Sequence, residues 1–140
     1  MGGETQNPSY RDITTGETGH AEVIQITYDR EKTSFGDLVD FFLTKAHDPT
    51  QINRQGVDVG TQYRSAIFYH DDEQKKVAAD WIEKLEASKR FKKPIATTLE
   101  EATTFWMGED YHQQYYEKYE EENGQAHIRV MLKKAKKLKP

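Results

Sequence analysis

The chain contains no cysteine at any of its 140 positions. This excludes a disulfide, a thiolate metal site and a cysteine nucleophile within these residues, and it leaves the redox compartment unread. No stretch approaches the roughly 18 apolar residues of a membrane span. No basic-then-apolar segment opens the sequence, so the expected location is cytoplasmic. The glycines of "GGETQNPSY" lack phosphate-loop spacing and a following Lys-Ser/Thr, which argues against nucleotide binding. No His-x-x-x-His or comparable ligand spacing supports a metal site. No internal repeat is found.

What is present suits a polar-surfaced globular domain: charged residues make up 31% and hydrophobic residues 35%. The net charge of −4 is unevenly spread. Residues 128–140, "IRVMLKKAKKLKP", carry six basic residues and no acid, leaving 14 basic against 24 acidic, or −10, in the preceding 127. We therefore read a domain over 1–127 and a basic tail over 128–140. The tail has no interleaved aromatics, so solvation is favoured over nucleic-acid or acidic-membrane contact.

Turn chemistry at "NPSY" and "TTGETGH" predicts loop over residues 1–20. Residues 21–28 alternate, with Ile24, Ile26 and Tyr28 on one strand face and Val23, Gln25 and Thr27 on the other. Ser34, with Asp37 three residues on, predicts an N-cap. Phe35, Leu38, Val39 and Phe42 predict a helix over 35–46. Residues 47–62 read as a long polar loop, and 63–70, "YRSAIFYH", as a strand. Asp71 or Asp72 caps a helix over 73–88 whose stripe is Val77, Ala78, Trp81, Ile82 and Leu85. "KPIATTLEE" predicts a third, short strand. Residues 109–121 predict a helix stopped by Gly124, with Tyr111, Tyr115 and Tyr119 as a core-edge stripe. The alternation suggests an α/β or α+β domain with helices packed on a sheet.

Glu22 shares strand parity with the apolar Ile24, Ile26 and Tyr28. Turned toward the core, its carboxyl would be partly desolvated and able to give a proton to a bound oxygen. At a frayed strand end it would bend out to water. Parity alone leaves both open. His47, Asp48, Arg54, Asp58 and Tyr63 cluster around the long loop, where sites are often built.

The strings "GGETQNPSYRDITTGETGHAEVIQITYD", "HDPTQINRQGVDVGTQYRSAIFYHDDEQ" and "GEDYHQQYYEK" together resemble the peptide methionine sulfoxide reductase A family, from about Gly2 to Lys118. The resemblance implies an α+β fold with a mixed sheet and helices packed around it. It implies reduction of the S-epimer of methionine sulfoxide in oxidised proteins. No bound cofactor is implied; the reductant is a thiol, thioredoxin or dithiothreitol. Glu22 matches the glutamate that protonates or hydrogen-bonds the sulfoxide oxygen. Tyr10 and Tyr63 match two tyrosines whose hydroxyls share that oxygen. Asp58 matches an aspartate near the pocket, and His20, His47 and Asp48 fall in strings where supporting, substrate-side roles are expected. The family's nucleophile, a cysteine in Gly-Cys-Phe-Trp-Gly, is not in this sequence. Thr14 stands where many members keep a resolving cysteine. The expectation is therefore a family domain without its N-terminal strand and nucleophile helix, inactive as given. The alternative is a non-catalytic protein that binds methionine sulfoxide or a partner.

Overall fold

The computed structural model describes residues 1–131. These divide into two compact units, Met1–Trp106 and a second beginning at Met107. Lys133, Lys134, Lys136, Lys137 and Lys139 of the basic tail lie outside the described residues.

The first unit opens with a short helix, α1 (Tyr10–Thr14), inside the stretch expected to be loop. Its cause is local. Ser9 and Asp12 form a reciprocal capping box, with Asp12 N donating to Ser9 Oγ at 3.2 Å and Ser9 N to Asp12 Oδ2 at 2.8 Å. The Ser-x-x-Asp signal stands in the sequence as "SYRD". Helix α2 (Phe35–Phe41) begins at Ser34, whose Oγ accepts from Asp37 N at 3.0 Å, as its spacing predicts. The expected helix to residue 46 is completed by a π-helical turn, Phe42–Ala46.

The stretch expected to be a long loop contains a hairpin, β1 (Arg54–Gln55) against β2 (Asp58–Val59), antiparallel, followed by a 3₁₀ turn, Thr61–Tyr63. Strand β3 (Ala66–Tyr69) runs parallel to β4 (Thr98–Glu101), with Ala66 opposite Thr98 and Tyr69 opposite Glu101. Helix α3 (Asp72–Ala87) makes the crossover that a parallel pair requires, starting at Asp71, which accepts from Gln74 N. Among the described residues the sheets are thus two small pairs, one antiparallel and one parallel.

The core lies between α2, α3 and the parallel pair. Val39, Leu43, Ile67, Ala78 and Leu85 are buried, with Phe35, Phe42, Trp81, Ile82, Ile95 and Leu99 packed against them. Leu43 is fully buried; burial of that kind contributes about 1.5–3 kcal/mol. Gly36 allows the close approach of α3: a Cβ there would lie 2.9 Å from the Trp81 indole nitrogen.

Residues 21–28 do not form the expected strand. Hydrogen bonds reach only its start, where Met1 and Ala21 exchange N–H···O bonds at 2.9 and 3.0 Å and Glu22 N donates to Gln62 O at 2.9 Å. A strand needs a ladder along its length, and among the described residues none pairs with 23–28. Ile24 is consequently 80% exposed and Ile26 52% exposed. They border a groove of about 670 Å³, lined also by Val23, Phe35, Leu38 and Phe41.

In the second unit the expected helix over 109–121 is broken. A 3₁₀ turn covers Asp110–His112, Gln114 takes a left-handed φ of 50°, and α4 runs Tyr115–Asn123. Gly124 stops it in the left-handed conformation, as expected. The break takes Tyr111 off the helix, so the three tyrosines make no core stripe. Tyr115, Tyr116 and Tyr119 instead surround His127, with ring centroids 5.8, 5.3 and 4.9 Å away.

Candidate active site

Three segments of the first unit carry the candidate proton donors. Tyr10 is the first residue of α1, held by the capping box. Glu22 is tied by its backbone to Gln62. Tyr63 closes the 3₁₀ turn, its N–H donating to Gly60 O at 3.0 Å. These side chains share one electrostatic environment. The Tyr63 phenol is held above its ordinary range, first by partial burial, then by the negative charges of Glu22 and Asp58, and last by the neighbouring Tyr10. A phenol so placed stays protonated and can donate. Glu22 and Tyr63 also face the apolar groove. Glu22 itself is exposed, so the burial argued from strand parity is not found; without a ladder over 23–28, parity places no side chain in a core.

Arg64 anchors the turn that presents Tyr63. Its Nε and Nη2 donate to the two Glu100 carboxylate oxygens on β4, each at 3.0 Å, and its Nη1 donates to Thr61 O at 3.1 Å. The Arg64 guanidinium holds the Glu100 carboxyl below the usual range, against the opposing effect of burial and with help from the Thr98 hydroxyl.

The histidines and Asp48 are engaged elsewhere. His20 is buried; its Nδ1 accepts from Gly3 N at 2.9 Å, so Nε2 carries the proton donated to Thr5 O at 2.7 Å. This pins residues 3–5 against 18–20. His47 Nδ1 donates to Phe42 O at 2.8 Å, which leaves Nε2 to accept from the Ser65 hydroxyl at 2.6 Å; Ser65 in turn accepts from Thr97 at 2.7 Å. Burial pushes the His47 imidazole below its ordinary pKa, opposed by the Phe42 carbonyl and Asp48. Asp48 accepts from Thr50 N at 2.9 Å and Thr50 Oγ1 at 2.7 Å, an Asx turn ahead of the hairpin. Both His20 nitrogens and both His47 nitrogens are therefore taken up by protein groups. Sequence reading passed over Thr61, Gln62 and the Arg64–Glu100 pair. The string "GTQYRS" holds three of them, but nothing in its composition separates a packing glutamine from a solvated one.

An α+β domain in which carboxylates and a second phenol act electrostatically on the Tyr63 phenol carries groups able to hydrogen-bond an anionic or strongly dipolar oxygen. The sequence profile of the family described as peptide methionine sulfoxide reductase matches residues 1–140, and the chain belongs to that family. It is 53% identical over 118 residues to the peptide methionine sulfoxide reductase MsrA of Methanothermobacter thermautotrophicus, covering 84% of this chain and 69% of the relative. It is 53% identical over 117 residues to the MsrA of Acidobacterium capsulatum, covering 84% and 74%. Among solved structures it is similar to reduced Saccharomyces cerevisiae Mxr1, with a TM-score of 0.73 and 38% identity over 86% of this chain. It is also similar to methionine sulfoxide reductase A of Corynebacterium diphtheriae, with a TM-score of 0.68 and 36% identity over 91% of this chain. The chain spans 62% of the length of each of these two structures. Among the described residues no helix is long and apolar enough to cross a membrane.

Proposed function

We propose that this chain binds the sulfoxide group of methionine S-sulfoxide in oxidised proteins and supplies the protons for its reduction. The observation that carries the reading is the shared environment of Tyr63, Glu22, Asp58 and Tyr10 in a chain of this family. The sulfoxide oxygen is a strong acceptor. Phenol and carboxyl donors stabilise the charge that develops on it, and its protonation allows the S–O bond to break as a thiolate attacks sulfur. In this reading Glu22 is the acid, Tyr10 and Tyr63 share the oxygen, and Asp58 orients the group. His20, His47 and Asp48 support the loops around it.

Reduction of a sulfoxide to a thioether and water takes two electrons and two protons. Two thiols supply them and become a disulfide. The chain as given has no cysteine, so the attacking thiolate comes from outside these 140 residues, with a thioredoxin-type thiol or dithiothreitol as final reductant. The same composition supports a second reading, in which the chain binds methionine sulfoxide without turnover.

Binding of the two epimers of N-acetylmethionine sulfoxide tests the proposal. The S-epimer shifts the NMR resonances of Tyr63, and Glu22→Gln abolishes the response. Equal response to both epimers, or none, overturns it. With dithiothreitol alone the chain yields no methionine; stereospecific turnover would overturn this expectation and show that a small free thiol can serve as the attacking thiolate. Where that thiolate is supplied by added polypeptide, Glu22→Ala lowers turnover by roughly 10²–10⁴-fold. Unchanged turnover would remove Glu22 from the mechanism.

A further inference from the structure

Two adjacent residues join the three segments that carry the proposed donors. Thr61 Oγ1 donates to Gly16 O at 3.0 Å, just beyond α1 and its Tyr10. Gln62 O accepts from Glu22 N at 2.9 Å, and Tyr63 follows directly in the chain. The Gln62 side chain is 5% exposed, yet its Oε1 has no hydrogen-bond partner among the described residues. An unpaired buried acceptor costs stability, so hydrogen bonding does not explain why the carboxamide sits there.

Its surroundings do. The carboxamide lies against two glycines. A Cβ on Gly60 would fall 2.1 Å from Gln62 Oε1 and 2.7 Å from Cδ, and a Cβ on Gly16 would fall 3.2 Å from Oε1. Both glycines have positive φ, 149° and 74°, where side chains are strained in any case. The glutamine fills a slot whose two walls are bare backbone, one from the segment after Tyr10 and one from the turn before Tyr63.

We propose that Gln62 is a positioning residue: its carboxamide, wedged between Gly16 and Gly60, sets the spacing of the Tyr10, Glu22 and Tyr63 segments by its shape. The proposal rests on the reading that these three side chains hold one sulfoxide oxygen. Gln62 touches no reacting atom in it. Its effect reaches the site through the backbone bond to Glu22 and the chain link to Tyr63.

The test uses the full 140-residue chain with ¹³Cζ-labelled tyrosine. NMR follows the titration of Tyr63, which faces Glu22, Asp58 and Tyr10. In the wild-type chain Tyr63 titrates above an ordinary tyrosine, and Glu22→Gln lowers its midpoint. Gln62→Ala lowers the midpoint as well and removes its dependence on Glu22. Gln62→Met, which keeps the length and volume without the amide, restores both. A folded Gln62→Ala chain with the wild-type Tyr63 titration overturns the proposal, and so does failure of Gln62→Met to restore it. If Gln62→Ala does not fold, Gln62→Asn, shorter by one methylene, carries the test, and an unchanged Tyr63 titration overturns the proposal again. Adding N-acetylmethionine (S)-sulfoxide separates the two ideas. No ligand response in the wild-type chain, with Tyr63 still moved by Gln62→Ala, sinks the sulfoxide reading and leaves the wedge standing. A normal ligand response with Tyr63 unmoved by Gln62→Ala does the reverse.

Discussion

Glu100→Gln removes the charge that fastens the Tyr63 turn to the parallel strand pair. The wild-type carboxylate accepts two Arg64 bonds at 3.0 Å and a Thr98 hydroxyl bond at 2.8 Å. A glutamine presents one acceptor oxygen and turns its amide N–H₂ toward guanidinium donors, so one charge-assisted bond is lost and a donor faces a donor. Loss of a hydrogen bond to a charged group costs about 1.5–3 kcal/mol. The two side chains are 15% and 29% exposed, which sets the pair between exposed pairs, worth about 0–1 kcal/mol, and fully buried ones, whose breaking costs about 3–5 kcal/mol. The expected cost is about 2 kcal/mol, or a fall in Tm of roughly 8 °C for a chain of this size. The effect also depends on pH. Glu100 in the folded chain is held below its ordinary value, chiefly by Arg64, so the unfolded chain binds the proton first as pH falls. The stabilisation is complete above the unfolded value, about 4.3, and is lost as pH falls through the folded value. Urea unfolding of both chains, followed by circular dichroism from pH 7 downward, measures this. The two stabilities differ most at pH 7 and converge in acid. A difference below about 0.5 kcal/mol at pH 7, well under the range for a charged hydrogen bond, would refute the reasoning. A gap that persists in acid would do the same.

The remaining predictions concern the loop and core beneath the site. His47 is held neutral by burial, so its folded pKa lies below the unfolded value of about 6.5. Stability from this source is complete above that value and falls as pH drops below it, and His47→Gln flattens the slope of unfolding free energy between pH 6.5 and 5. An identical slope in the variant would show that other groups set it. Leu43 is fully buried in the core under α2 and β3; Leu43→Ala lowers stability by about 2–5 kcal/mol, measured by the same urea titration, and a cost under 1 kcal/mol would mean that the site collapses around the loss.

Local chemistry made much of the scaffold legible. Ser34 and Asp71 announce α2 and α3 because a side-chain oxygen before an amphipathic run has one obvious use, the orphan N–H groups of the first turn. The β3 segment was legible because a short β-branched and aromatic run between turn residues has few alternatives, and β4 lies within the short strand expected over "KPIATTLEE". α1 was also written in the sequence, as Ser-x-x-Asp, but was masked by the glycines and threonines around it. The site itself was reached through a resemblance, since strand parity argued only that Glu22 could point inward, and in the structure it is exposed.

Other features depend on partners distant in sequence. The alternation of 21–28 is a strand pattern, but a strand exists only where a ladder satisfies its backbone, and here the ladder stops at Glu22. The tyrosine stripe assumes an unbroken helix, and the left-handed Gln114 interrupts it. The two histidines look available in sequence, while in the fold the ring nitrogens of each are closed by acceptors and donors five to eighteen residues away. The absence of cysteine was decided by sequence alone, because no fold can make a thiolate from other side chains. The electrostatic influence of Tyr10, Glu22 and Asp58 on Tyr63 was decided by tertiary structure, because charge acts through space and those residues lie on segments up to 53 positions apart.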